Sequence, residues 1–170
     1  MKAVERILSG RDGRAFLQEL MIRRSRIVVQ ISLNIPGFPK KMDGDRSLVD
    51  VVGLHIGEKI LALGWETACT IFIDNGAGPA HLSEVPGGDV ATLKRIAMDI
   101  ESRPWGSVLD IDVIGVDGAI HRRDLGGDDR KCFACGGAAK LCAREQKHDI
   151  GFLREVAAEL IEAGLEEMLC

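Results

Sequence analysis

The sequence lacks long apolar runs, a surplus of positive charge and internal repeats. No stretch approaches the roughly 20 apolar residues of a membrane span, and the first residues lack the apolar core of a signal peptide. Its 22 lysines and arginines against 26 aspartates and glutamates give a net charge of −4, which argues against a protein that coats nucleic acid. Because no linker divides the chain, residues 1–170 are expected to form one domain, in the cytoplasm, with no membrane or nucleic-acid partner.

Cysteine occurs five times, an odd number that does not suit a framework of disulfide bonds. Three cysteines lie within eleven residues, at Cys132, Cys135 and Cys142, and His148 follows them. Three thiolates and an imidazole are the ligand set of a closed tetrahedral zinc site, which leaves no coordination position for a substrate. Two interpretations stay open here: a structural zinc, or a group of small buried thiols beside a capping histidine.

Helical and strand patterns are mixed along the chain. Apolar residues recur at helical spacing in four segments, which are 13–25, 48–63, 89–103 and 149–168. Stretches rich in β-formers predict strands at 26–33, 65–73 and 108–116, with a hairpin turn at Asp117-Gly118 and a return strand at 119–122. This order predicts an α+β fold in which helices flank a mixed or antiparallel sheet.

The sharpest local signal is the pair Asp110 and Asp112 inside an apolar segment. In a strand, residues two apart point to one side, so the two carboxylates project together while Leu109, Ile111 and Val113 bury the other face. Carboxylates this close repel each other unless a cation neutralises them, and Mg²⁺ suits paired carboxylates together with phosphate oxygens. The pair indicates phosphoryl or nucleotidyl transfer, with the solvated side of an edge strand as the alternative.

Basic residues follow the carboxylate pair, although the chain is acidic overall. Clustered guanidinium groups beside carboxylates suit a polyphosphate substrate with bound Mg²⁺. The alternative is a solvated face whose cations pair with neighbouring aspartates. The cluster includes Arg122, Arg123, Arg130 and Lys131.

Two stretches together resemble a known family. They are Pro104-Trp105-Gly106-x3-Asp110-Ile111-Asp112-Val113 and the run Arg122-Arg123-x6-Arg130-Lys131-Cys132-x2-Cys135-x6-Cys142-Ala143-Arg144-x3-His148. This pattern is similar to that of the apo-citrate lyase phosphoribosyl-dephospho-CoA transferases, also called holo-citrate lyase synthases. A looser match extends upstream to Arg11-Asp12-x-Arg14 and to Ile35-Pro36-Gly37-x2-Lys40.

The resemblance implies a nucleotidyltransferase and is compatible with a nucleotidyltransferase-like fold. It would move a 5-phosphoribosyl-3′-dephospho-CoA group from its triphosphoribosyl precursor to a serine of the citrate lyase acyl carrier subunit, and pyrophosphate would leave. Asp110 and Asp112 would hold Mg²⁺, and either could also accept the proton of the serine. The residues implied to hold the triphosphate are Arg122, Arg123, Arg130 and Lys131, with Arg11, Arg14 and Lys40 as a second set.

Two other functions stay open at this point. The same chemistry could serve another carrier, such as the acyl carrier protein of malonate decarboxylase. Alternatively, the chain could be a non-enzymatic binding module stabilised by zinc, in which the carboxylate pair is merely exposed.

Overall fold

The computed structural model describes residues 2–169 as a five-stranded antiparallel sheet with helices on both faces. The strands are β1 (Val28–Leu33), β2 (Cys69–Asn75), β3 (Gly78–Glu84), β4 (Leu109–Gly115) and β5 (Gly118–Ala119). The helices are α1 (Ala3–Ser25), α2 (Asp45–Ala62), α3 (Val90–Glu101), α4 (Ala139–Arg144) and α5 (Ile150–Leu169). Short 3₁₀ turns occupy Gly106–Val108 and Arg122–Leu125. Across the sheet the order is β2-β3-β1-β4-β5, which confirms the α+β class.

One face of the sheet carries the main hydrophobic core. Helices α2, α3 and α5 cover this face, and alternate residues of β1 and β4, such as Ile31, Ile111 and Val113, point into it. Alternation places the next residue of each strand on the opposite face. The segments predicted from helical periodicity at 48–63, 89–103 and 149–168 are therefore the helices that bury this core.

Helix α1 covers part of the opposite face. Its side chains Leu17 and Met21 pack against Val28, Ala80 and Leu82 of the neighbouring strands. The same face of β4 carries Asp110 and Asp112, which lie beside α1 and keep part of their surface in solvent. The edge of α1 thus becomes one wall of an open site.

Several predicted boundaries were wrong, each for a physical reason. Helix α1 begins ten residues before the predicted start at Gly13, because Val4 and Leu8 are exposed and extend no buried stripe. Strand β3 was missed, since its sequence Gly-Pro-Ala-His-Leu-Ser-Glu has no β-branched residue although every position is buried. The return strand after the hairpin is only Gly118–Ala119 long, and the chain then enters the 3₁₀ turn. The predicted strand at 65–73 begins at Cys69.

Helix α3 lies along the outer edge of β4 and positions two charged residues there. Asp89 caps the helix by accepting a hydrogen bond from the backbone N–H of Thr92 at 2.7 Å. Lys94 and Glu101 are seven residues apart, so two helical turns place them on one side. Both side chains are buried against β4. Among residues 2–169, no helix combines the length and apolar character needed to cross a membrane.

Candidate active site

The carboxylate pair, Asp110 and Asp112, projects from the face of β4 that lies away from the main core. Leu109, Ile111 and Val113 are buried and the two aspartates are half-buried, which confirms the predicted alternation. The two carboxylates therefore share one side of the sheet, beside α1. Both side chains border a cavity beside α1, and the Asp110 side chain keeps 48% of its surface exposed.

The neighbouring strand β1 adds polar side chains to the same surface. Its residues Ser32 and Gln30 stand opposite Asp110 and Asp112 in the sheet register. Gln18 of α1 donates a hydrogen bond of 2.8 Å to the Gln30 carbonyl oxygen. The Gln30 amide in turn lies 3.5 Å from Asp112 Oδ2, so a polar relay joins α1 to the pair. Sequence reasoning missed these residues, although polar positions alternating within an apolar strand were a visible signal.

The environment of Asp112 favours a bound cation. Burial, and then the negative charge of Asp110, raise the pKa of the Asp112 carboxyl above its ordinary range. A divalent cation between the two carboxylates would remove the repulsion and replace the lost hydration with oxygen–metal contacts. The donor set, two carboxylates open to solvent on one side, therefore fits Mg²⁺ with room for water and phosphate oxygens.

A cavity of about 280 Å³ opens beside the carboxylate pair, and we call it the dyad cavity. The second set of cations that the resemblance implied, Arg11, Arg14 and Lys40, lines it together with Asp110 and Asp112. These cations lie 70 to 101 positions before the two aspartates in the chain, and the fold brings them together. Among residues 2–169, none of these three cations forms a salt bridge with a carboxylate.

Arg14 is the buried cation of the dyad cavity, with only 7% of its surface exposed. Its Nη2 donates to the backbone carbonyls of Gly78 at 2.6 Å and Pro79 at 3.3 Å, while its buried Nε has no partner in the described chain. Burial, and then the positive charge of Arg11, lower the pKa of Arg14. A buried guanidinium held by neutral carbonyls keeps its charge for an anion in the cavity.

Lys40 enters the dyad cavity from the loop between β1 and α2. Its Nζ donates to the backbone carbonyl of Ile35 at 2.5 Å. Burial, and then the charges of Arg11 and Arg154, lower the pKa of Lys40. Like Arg14, this ammonium is held by a neutral group, so its charge also remains available to an anion.

Glu101, which sequence reasoning missed, organises the outer edge of β4. Its carboxylate accepts hydrogen bonds from Arg122 at 2.5 Å, from Arg130 at 2.7 Å and from the backbone N–H of Ile111 at 3.0 Å. Lys94 completes the edge by donating to the carbonyl of Ile111 at 2.8 Å. No local pattern marked Glu101, because its partners lie up to 29 residues away.

Arg130 connects this edge to the carboxylate pair. It donates to Asp110 Oδ1 at 3.0 Å and to the Leu109 carbonyl at 2.7 Å. Arg122 and Arg130, together with Lys94 and Lys140, line a second cavity of about 470 Å³ that also reaches Asp110 and Asp112. The carboxylate pair therefore borders two cavities. We call the second one the arginine cavity, and Glu101 already partly neutralises its cations.

The remaining predicted phosphate ligands lie elsewhere. Arg123 lines the arginine cavity but pairs at the surface with both carboxylate oxygens of Asp129, at 2.5 and 2.9 Å, as the alternative interpretation expected. Lys131 lines neither cavity beside the carboxylate pair, because its backbone bridges to Ala138 in the cysteine-rich segment. Neither Arg123 nor Lys131 therefore has a hydrogen bond to Asp110 or Asp112.

The Cys/His cluster, made of Cys132, Cys135, Cys142 and His148, is assembled in the structure. One ligand atom from each residue lies within 4.8 Å of the others. Cys132 Sγ is 3.5 Å from His148 Nε2, and Cys135 Sγ is 3.6 Å from Cys142 Sγ. Zinc bonds of about 2.3 Å to sulfur and about 2.0 Å to nitrogen give a tetrahedral edge of about 3.5 Å between sulfur and nitrogen and of about 3.8 Å between two sulfurs. The cluster could therefore bind a metal such as zinc.

The turn after the first cysteine supports the same geometry. Gly136 takes a positive φ of 70°, and its N–H donates to the Cys132 carbonyl at 2.8 Å. The backbone of Gly137, and then the Cys142 thiol, lower the pKa of Cys135 to about 7. Backbone donors that favour a thiolate are a common feature of metal-binding turns.

Paired carboxylates beside cations that bind no carboxylate are groups able to hold a metal ion and a phosphorylated ligand. The family model described as apo-citrate lyase phosphoribosyl-dephospho-CoA transferase matches residues 2–164. The chain belongs to this family.

Individual relatives agree with the family match. A probable apo-citrate lyase phosphoribosyl-dephospho-CoA transferase of Vibrio cholerae serotype O1 (strain M66-2) is 30% identical, covering 88% of this chain and 81% of its own length. A protein of the same description from Streptococcus pyogenes serotype M3 is 28% identical over 92% of this chain and 84% of its own. Protein CitXG of Haemophilus influenzae is 29% identical over 87% of this chain, which is 32% of that longer protein.

Proposed function

We propose that this protein transfers a 5-phosphoribosyl-3′-dephospho-CoA group from its 5-triphosphoribosyl precursor to a serine of the apo-citrate lyase acyl carrier subunit. The observation that carries the proposal is the dyad cavity, in which a carboxylate pair faces the buried Arg14 and the half-buried Lys40, whose side chains bind backbone carbonyls and no carboxylate of residues 2–169. Membership of the family supports the substrate and the acceptor. This reaction is a nucleotidyl transfer.

The bonds of the reaction balance without a further co-reactant. The serine oxygen forms a bond to the phosphorus next to the ribose, and the bond from that phosphorus to the bridging oxygen of the β-phosphate breaks. Pyrophosphate leaves with the electron pair of the broken bond. The proton of the serine passes to a carboxylate of the pair, Asp110 or Asp112, and from there to solvent.

The cations of the dyad cavity hold the triphosphate in this proposal. Arg14, Lys40 and Arg11 line the cavity and supply three positive charges. Arg130, already in contact with Asp110, lies on the other side of the reacting phosphate. Arg122 and Arg123 act from the arginine cavity as a second layer of positive charge. Positive groups that are fixed before the reaction stabilise the charge that develops on the leaving pyrophosphate.

Asp110 and Asp112 are the residues that would hold Mg²⁺. When bound, the ion would neutralise charge on the transferred phosphoryl group and on the leaving pyrophosphate. The relay from Gln18 through Gln30 fixes the Asp112 carboxylate, while Arg130 fixes Asp110. The chain thereby orients both carboxylates before any substrate enters.

The Cys/His cluster is assigned a structural zinc in the same proposal. Its four protein ligands would complete the tetrahedron, which leaves no position for substrate or water. Zinc would therefore stabilise residues 132–148 and take no part in the transfer.

Intact mass spectrometry of the apo acyl carrier subunit tests the proposal. After incubation with the protein, Mg²⁺ and the precursor, the carrier should gain the mass of the transferred group, and EDTA should prevent the gain. Asp110→Asn should lower the rate by about a thousandfold, or about 4 kcal/mol of lost transition-state stabilisation. Asp117→Asn, which alters an exposed aspartate of the hairpin turn, serves as the matched control and should react normally.

Three results would contradict the proposal in different ways. Full turnover by Asp110→Asn would show that the carboxylate pair is not the reacting centre. Labelling of the malonate decarboxylase carrier in place of the citrate lyase carrier would keep the chemistry and change the acceptor. If neither carrier is labelled, the protein is a zinc-stabilised binding module.

A further inference from the structure

The dyad cavity is too small for the whole proposed precursor. At about 280 Å³ it lies at the lower end of the range of about 300–1,000 Å³ for small-molecule pockets. The precursor carries a triphosphate, two riboses, an adenine, a diphosphate and a pantetheine arm. Once the triphosphate and its ribose occupy the dyad cavity, the dephospho-CoA part must lie on another surface.

A larger cavity of about 500 Å³ adjoins the dyad cavity, and we call it the knuckle cavity. It lies between the loop that follows β1, the Cys/His cluster, α4 and the first turns of α5. Asn34 lines both cavities, so they meet at this residue. A ligand whose phosphates lie near Arg14 and Lys40 therefore reaches the knuckle cavity past Asn34.

The lining of the knuckle cavity differs from that of the dyad cavity. Its walls are largely apolar, with Phe133, Ile150 and Leu153 as the large side chains. The polar groups at its rim include Lys131, whose ammonium suits a diphosphate. Apolar walls with a few polar groups match an adenine and a pantetheine arm joined through a diphosphate.

The wall shared with the dyad cavity is held in place before any ligand binds. Arg154 of α5 donates hydrogen bonds to the backbone carbonyls of Pro36 at 2.9 Å, Pro39 at 3.0 Å and Lys41 at 2.8 Å. Gly37 takes a positive φ of 65°, and a Cβ there would lie 2.8 Å from Ile150 Cγ2. The loop that carries Lys40 is thus fixed against α5, and the two cavities keep their relative positions.

We propose that the knuckle cavity binds the dephospho-CoA part of the transferred group, with Lys131 facing its diphosphate. This inference rests on the proposed function for the identity of the ligand. It gives Lys131 a role at a different phosphate from the triphosphate, which accounts for its absence from both cavities beside the carboxylate pair.

Calorimetric titration of the full chain with dephospho-CoA tests this site without any transfer step. Ala143→Phe would place a bulky ring in the cavity at an exposed helical position and should weaken binding by about tenfold or more. Ala163→Phe, at an exposed position of α5 outside the cavity, is the matched control and should bind normally. Lys131→Ala should weaken binding by about threefold to tenfold, because it removes the ammonium that faces the diphosphate.

The outcomes separate this inference from the proposed function. Weaker dephospho-CoA binding by Ala143→Phe and normal binding by Ala163→Phe support the site, even if no carrier is ever labelled. Equal binding by wild type and Ala143→Phe, or no binding by wild type, overturns it even if transfer occurs. In the transfer assay, Ala143→Phe should raise the KM for the precursor. A raised KM for the carrier alone would overturn the inference, since the cavity would then receive the carrier.

Discussion

Asp110 and Asp112 stand on a strand that is paired with β1 along its length, whereas the Cys/His cluster lies in a segment with little regular secondary structure. Strand β4 is anchored by buried apolar residues on its other face. Between residues 126 and 149, the buried residues are Cys132 and Cys142, which are themselves proposed ligands. The sheet therefore holds the carboxylate pair, and the cluster depends on its own ligands for its position.

This difference separates the two proposed metals. Replacing a carboxylate removes a functional group from a scaffold that keeps its core. Replacing a cysteine removes part of the scaffold itself, because little else orders that segment. Changes at the two regions should therefore give opposite combinations of activity and stability.

The largest expected effect is the loss of the cluster. Cys142→Ser should reduce zinc from about one ion per chain to none and lower the Tm by more than about 5 °C, because binding energy of the metal contributes to folding. Elemental analysis and thermal unfolding measure both quantities. Cys69→Ser, which changes a free cysteine of β2 outside the cluster, should change neither.

Equal zinc content in Cys142→Ser and wild type would remove the cluster as a metal site. Wild-type protein stripped by a chelator should resemble the variant and be cleaved by protease within residues 126–149. If the stripped protein resists cleavage there, the contrast between the two regions is wrong.

Replacing Glu101 tests how much its ion pairs with Arg122 and Arg130 contribute to the free energy of unfolding. Glu101→Gln leaves Arg122 and Arg130 without their buried carboxylate, and removing one partner of such a pair costs about 3 kcal/mol. Chemical denaturation should show this loss. Glu167→Gln breaks the exposed pair with Arg103, and should cost less than about 1 kcal/mol. Similar losses in the two variants would mean that the edge of β4 does not depend on Glu101.

Arg14 has a smaller expected effect, confined to the substrate. Arg14→Lys keeps the positive charge at the dyad cavity but loses the planar donors that bind the carbonyls of Gly78 and Pro79. The KM for the precursor should rise about tenfold, with a smaller change in kcat. Arg23→Lys alters an exposed arginine of the same helix and should have no effect. An unchanged KM in Arg14→Lys would move the triphosphate to the arginine cavity.

The carboxylate pair was predictable because strand alternation is a local property of the sequence. Asp110 and Asp112 needed only the apolar residues between them. Alternation also marked Gln30, but its place opposite Asp112 depends on strand pairing. Glu101 was not predictable in this way, since its role depends on where its helix lies in the fold. Strand β3 was missed for the same reason: its burial comes from its two neighbours and not from its own residues.

The cation sets show a similar limit. Spacing along the chain grouped Arg122, Arg123, Arg130 and Lys131, but the structure divides them among a buried ion-pair network, the surface and the knuckle cavity. Arg14 and Lys40, which came only from the looser upstream resemblance, lie directly in the dyad cavity. Which cations lie beside the carboxylate pair depends on how the sheet and its covering helix pack. Such long-range contacts leave no periodic signal in the sequence.

The smallest expected effect is the change in Tm caused by replacing Asp112. This substitution should raise the Tm, whereas Cys142→Ser should lower it. Burial and Asp110 raise the folded-state pKa of Asp112 above the unfolded value of about 3.9, so the folded protein binds more protons. Stability therefore falls as the pH rises from about 4 through the raised pKa. Asp112→Asn carries no such charge and should melt on the order of 2–4 °C higher at pH 7 in metal-free buffer.

The pH and metal dependence distinguish this effect from a general gain in packing. The difference in Tm between Asp112→Asn and wild type should shrink as the pH falls through the raised pKa toward the unfolded-state value of about 3.9, because the wild-type carboxyl takes up a proton. Added Mg²⁺ should stabilise wild type but not the variant, because binding to the folded state shifts unfolding. A difference that is constant across pH and Mg²⁺ concentration would contradict charge repulsion within the pair. A lower Tm for Asp112→Asn than for wild type at pH 7 would show that Asp112 stabilises the sheet. The carboxylate pair would then be part of the scaffold as well as of the proposed reacting groups.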